Sequence, residues 1–145
     1  MLAKLKAATF EVLETMFYLF PEGLEEGETL RSRGPFLRSS VTIAGPQSIN
    51  IGLQVPQNLA RKMAANFLGT SEEEISQAEM EDILKETINM LAGSFLSKLE
   101  ASSAFKLQTP LIQILSDEER KKKEPAKSLR FEVEEEVLEL FVGKG

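Results

Sequence analysis

Between Ser76 and Glu100 the sequence reads SQAEMEDILKETINMLAGSFLSKLE, and this segment dictates what kind of core the chain must build. Ser76 and Glu79 have the spacing of a capping box, in which the serine caps the helix and the glutamate reaches back. At about 100° per residue, Leu84, Ile88, Leu91, Phe95 and Leu99 then fall on one side of a long helix. The same rotation brings Asp82, Glu86, Asn89 and Gly93 to nearly one direction on another side, within about 60° of each other. That stripe carries two carboxylates, an amide and bare backbone. Gly93 costs roughly 1 kcal/mol of helix stability relative to alanine, and on an exposed face it lets another surface come close. On spacing alone, Glu86-x-x-Asn89 fits a solvated helix face as well as a working site.

The rest of the chain supplies partners for the apolar side. Residues 2–20 place Leu2, Leu5, Thr9, Val12, Leu13, Met16 and Phe20 on a helical stripe that Pro21 stops. Residues 21–35 (PEGLEEGETLRSRGP) are turn-rich and read as a loop. VTIA at 41–44 and SINIGLQV at 48–55 read as strands; in the second, Ile49, Ile51, Leu53 and Val55 alternate with small or polar residues. Gly45-Pro46 between them marks a hairpin turn. Pro56 opens a further helix, with Leu59, Met63 and Phe67 inward and Gly69 at the C-cap.

After the long helix, residues 104–115 (AFKLQTPLIQIL) read as a strand bent at Pro110. Leu129, Phe131, Val133 and then Leu138, Leu140, Val142 alternate in two more strands joined by Glu134–Glu136. The expected fold is α+β: residues 1–145 as one domain in α-β-β-α-α-β-β-β order. It has a mainly antiparallel sheet of about five strands, and its two long helices pack together on one face.

Composition narrows the chemistry. The chain of 145 residues has no cysteine and no histidine, which removes thiolate/imidazole zinc sites, His-dependent nucleophilic catalysis and disulfides. A net charge of −6 argues against nucleic acid as the main partner. The one dense basic run, Glu119–Lys123 (ERKKK), is flanked by Asp117, Glu118 and Glu124 and reads as a solvated loop. The uncharged stretch 39–60 alternates like strands rather than a membrane span. Glu11 and Glu14 interrupt the apolar N-terminal run that a signal peptide needs, so a cytoplasmic location is expected.

Three features together carry a family resemblance: ETIN at 86–89 within DILKETINMLAG, the Thr109-Pro110 strand, and the hairpin-to-helix unit PQSINIGLQVPQNLARKMAANFLG. With them the chain resembles the CheC/CheX-type chemotaxis phosphatases, most closely the single-site CheX branch. LETMF at 13–17 echoes KETIN at 85–89, and prolines (Pro35, Pro110) precede a strand in each half. Two-site members carry Glu-x-x-Asn in both halves. Here Phe17 stands where the first amide would be, and is read as core.

The resemblance implies a substrate, the phosphoaspartate of a CheY-like response regulator. It implies Glu86 and Asn89 as the catalytic pair, with Asp82, Gly93 and Pro110 supporting the partner. It implies no metal or cofactor of the chain's own, Mg²⁺ being supplied by the regulator, and a homodimer. A non-catalytic module of the same fold, docking a receiver domain or flagellar-switch protein, would carry the same sequence features.

Overall fold

The computed structural model describes residues 2–24, 32–99, 105–122 and 128–144. Strands β2 (Phe36–Ala44) and β3 (Ile49–Pro56) form the expected antiparallel hairpin, with Val41 opposite Ile51 and Ile43 opposite Ile49. β7 (Glu136–Lys144) pairs with β3, and β6 (Ser128–Val133) with β7. Glu134 and Glu135 make the β6–β7 turn, both at positive φ (52° and 66°), as the tight right-twisted hairpin turns require.

The bend at Pro110 splits the 104–115 segment into β4 (Lys106–Leu107) and β5 (Leu111–Leu115), both antiparallel to β2. Ala104 lies outside the described residues. With β1 (Glu22–Gly23) on β6, the sheet has seven strands rather than about five, in the order β1-β6-β7-β3-β2, with β4 and β5 beyond β2. The two extra strands are two-residue pairings, too short to leave an alternating pattern. β1 lies in the stretch read as loop, of which residues 25–31 are outside the described set.

Alternation decides the faces. Leu37, Val41, Ile51, Leu53, Phe131 and Leu140 point from the sheet into one core, which the helices α1 (Leu2–Met16), α2 (Gln57–Leu68) and α3 (Gln77–Leu99) complete with Leu13, Met63, Leu84, Ile88, Leu91 and Phe95. A single 3-10 turn, Glu72–Glu74, links α2 to α3. The anticipated caps are present. Ser76 N–H donates to Glu79 Oε1 (2.9 Å) and Glu79 N–H to Ser76 Oγ (3.1 Å). Gly69 ends α2 at φ 70°, and Pro56 is the N-cap of α2 rather than its first helical residue.

The N-terminal helix departs from expectation. It ends at Met16, well before Pro21, because Tyr18 takes a left-handed conformation (φ 56°). For a bulky residue that costs about 1–3 kcal/mol, held by surrounding structure. Phe17 and Leu19 insert into the core on either side of it, while Phe20 faces solvent instead of closing the stripe. Phe17 is fully buried, as its place in the first-half motif implies.

The opposite sheet face is sealed by polar and aromatic side chains. Arg38 donates to Gln54 Oε1 through Nε (2.9 Å) and Nη2 (2.6 Å), and its guanidinium lies 5.0 Å from the Phe141 ring centre. That ring covers Gly52, where a Cβ would come within 2.0 Å of it. The basic run is no loop. Residues 117–122 form α4 (Asp117–Lys122), begun by a second reciprocal cap between Ser116 and Glu119. Acids fill its first turn and bases its last, matching the helix dipole. Arg120 pairs with the buried Glu139 and stacks over Phe36. Lys123 lies outside the described residues.

The two long helices pack on each other, as two related halves would. Lys98 on α3 donates to Glu11 Oε2 on α1 at 2.7 Å, and Ser94 Oγ lies 3.4 Å from the same oxygen. The Lys98 hydrogen bond, then its charge, hold the Glu11 carboxyl below its usual value of 4.5. A carboxyl depressed by folding contributes stability above its unfolded value and gives it up as pH falls through the folded one. Glu11→Gln should therefore lower thermal stability slightly at neutral pH and flatten its loss below pH 4.5, because the stability removed above that pH is what the parent gives up below it. Melting curves across pH check this.

Candidate functional site

Helix α3 separates its sides as its periodicity predicts. Leu84, Ile88 and Leu91 are buried, and so is Thr87, whose hydroxyl donates back to Ile83 O at 2.6 Å. Asp82, Glu86 and Gly93 are exposed, and Asn89 is partly exposed beside them on the same stripe. No hydrogen bond or ion pair to a described residue engages the Glu86 or Asn89 side chains. An exposed carboxylate and a half-exposed amide one turn apart are therefore free to bind something else. The carboxylate accepts from a cation, and the amide both donates and accepts.

The supporting residues divide. Asp82 makes an (i, i+3) pair with Lys85 at 3.9 Å, a long contact that competes weakly with solvent. Lys85 was not singled out from the sequence, although the three-residue spacing was visible there. Gly93 has open space where a Cβ would be, so nothing among the described residues requires glycine there. Pro110 sits on a different element, part-buried between β4 and β5 at the sheet edge. Helix periodicity therefore does not bring it to the stripe. Among the described residues no cluster of three or more acidic or metal-ligating side chains forms a metal site, and no helix is long and apolar enough to cross a membrane.

Several solved structures share this architecture. Chemotaxis protein CheX from Vibrio vulnificus superposes with a TM-score of 0.75 at 18% identity, covering 99% of this chain and 95% of that one. A CheX–CheY–BeF3–Mg²⁺ complex from Borrelia burgdorferi gives 0.69 at 18% identity, over 99% and 96%. Thermotoga maritima FliY gives 0.65 at 14% identity, over 97% and 84%. Identities this low establish a common fold, that of CheX-type chemotaxis proteins. No protein of curated function matches the sequence. The family model for the chemotaxis phosphatase CheX matches residues 38–134, which include all of α3, and the chain belongs to that family.

The two sides of α3 should respond differently to mutation. Leu91→Ala should cost about 2–5 kcal/mol as a core truncation. Glu86→Ala and Asn89→Ala, at an exposed and a half-exposed position without side-chain partners among the described residues, should each stay within about 0.5 kcal/mol of the parent. Urea unfolding of the three variants measures both.

Proposed function

We propose that this chain dephosphorylates the phosphoaspartate of a CheY-like response regulator by inserting Glu86 and Asn89 into the regulator's active site. The observation that carries this reading is the unpartnered Glu86/Asn89 pair, displayed on a helix whose other side is locked in the core. Family membership supplies the reaction class, and the Borrelia relative's structure contains CheY and Mg²⁺.

Hydrolysis of an acyl phosphate needs a water in line with phosphorus, and positioning with electrostatics supplies most of the gain. Asn89 is no base at neutral pH. Its carboxamide oxygen accepts from the attacking water and fixes its direction. The water oxygen bonds to phosphorus, the phosphorus–oxygen bond to the aspartyl carboxylate breaks with the aspartate leaving as carboxylate, and both protons of the water depart on the released phosphate as H2PO4−. Glu86 pairs with a cation of the regulator, its active-site lysine, by a charge-assisted bond. The regulator brings Mg²⁺ and the phosphoryl group. Asp82 and Gly93 flank the pair, the glycine allowing close approach, and Pro110 shapes the neighbouring edge. Residues 1–145 act as one CheX-like domain, and the protein works in the cytoplasm.

Asn89→Ala should lower single-turnover hydrolysis about a hundredfold, the scale of a misplaced reactant, while leaving regulator affinity nearly unchanged. Glu86→Ala should weaken both, with a loss of affinity that shrinks at high salt. Full turnover by Asn89→Ala refutes water positioning by this residue. Docking of a phosphorylated receiver with no turnover by the parent chain favours the non-catalytic module instead.

The chain is proposed to form a homodimer through the β4–β5 side of the sheet, outermost among the described residues, where Leu111 is 65% exposed and Leu107 and Ile114 are exposed as well. Unpaired apolar edges recruit a further strand. Light scattering at micromolar concentration should give twice the chain mass of 16.1 kDa, and Leu111→Lys should give the monomer. A monomeric parent chain removes the claim.

A further inference from the structure

The C-terminal ends of α1 and α2 meet at a surface groove lined by Thr15, Met16, Tyr18, Asn66, Phe67 and Leu68. Tyr18 and Phe20 are 71% and 69% exposed, and Met16 and Leu68 are exposed as well. Three exposed large apolar side chains on one groove, with Phe20 two residues along the chain from Tyr18, mark an interaction site. The loop that presents it is fixed from beneath. Leu19 N–H donates to Leu13 O at 3.0 Å, the Asn66 amide donates to Phe17 O at 2.8 Å, and Phe17 packs against Phe67.

Backbone conformation points the same way. Both helices stop on a left-handed residue, and α2 uses glycine for it, as is usual. α1 uses Tyr18, against the steric preference of a bulky side chain, and the outcome is an aromatic ring held out in solvent.

Charge indicates what the groove takes. Two helix C-termini, each a partial negative charge, converge here, and neither helix has a basic residue in its last turn. Glu14 and Glu22 stand exposed on the segments leading into and out of the aromatic loop. Tyr18, on the groove, offers an exposed ring face to cations. We infer that this groove docks a basic amphipathic helix of a partner protein, its apolar side chains on Phe67, Met16 and Leu68 and its lysines or arginines against the helix ends and the Tyr18 ring. The surface belongs to α1 and α2, apart from the α3 stripe that carries Glu86 and Asn89.

The test is amide chemical-shift mapping of the full chain with a leucine–lysine amphipathic helical peptide and its leucine–glutamate counterpart. The lysine peptide should shift residues 14–20 and 66–69, at least tenfold more tightly than the glutamate peptide, and added salt should weaken it. Tyr18→Gly supplies the control against misfolding. Glycine suits the left-handed position, so this variant should melt at or above the parent temperature yet bind the lysine peptide at least fivefold more weakly. Equal binding of the two peptides, shifts confined to other surfaces, or unchanged affinity in Tyr18→Gly overturns the inference. Shifts of the same residues with protein concentration alone, or stronger shifts with neutral phosphatidylcholine vesicles, overturn it in favour of a second copy or a membrane.

Discussion

The proposed catalytic pair depends on how completely one side of α3 is buried. Leu84, Ile88, Leu91 and Phe95 lie between the sheet, α1 and α2 with essentially no solvent contact. Closely packed interiors of this kind resist rotation of the helix, because turning it would open cavities along its whole length. The direction of Glu86 and Asn89 is thus set by residues that never meet a partner. The proposed two-residue site on this helix needs no loop closure to become aligned, which suits the proposed role of supplying position rather than a reactive group.

That division also explains how a chain without cysteine or histidine belongs to a phosphatase family. The reactive acyl phosphate and the metal sit on the other protein in the proposed reaction, and an amide plus a carboxylate are enough to orient water and grip a cation. Burial places the residues; exposure and the absence of side-chain partners among the described residues leave them available for the proposed role.

The sequence showed the helix faces, the caps and the hairpins because each is written locally: Ser76 with Glu79, Gly69 after α2, the alternation of Ile49 to Val55. The Glu86/Asn89 stripe was legible for the same reason, since helical periodicity alone assigns it a direction. What stayed hidden was set by long-range packing. The end of α1 at Met16 depends on Phe17 and Leu19 entering a core built by distant strands, which makes the left-handed Tyr18 tolerable. The helix at Asp117–Lys122 lay behind a dense run of charges, acids then bases, although Ser116 and Glu119 carried a cap signal. The pairing of Arg120 with Glu139 joins residues nineteen apart in sequence, across the sheet's second face. Pro110 was tied to the site by resemblance, and no local rule fixes where an edge segment lies relative to α3.

The most direct test is the lifetime of phosphoaspartate on a CheY-like receiver, in Mg²⁺, with this chain present at far below one equivalent. The account predicts that decay accelerates for every receiver molecule, many turnovers per chain, because Glu86 and Asn89 are released unchanged after each hydrolysis. A lifetime that stays at that of the receiver alone, in a mixture where the two proteins demonstrably bind, would contradict it.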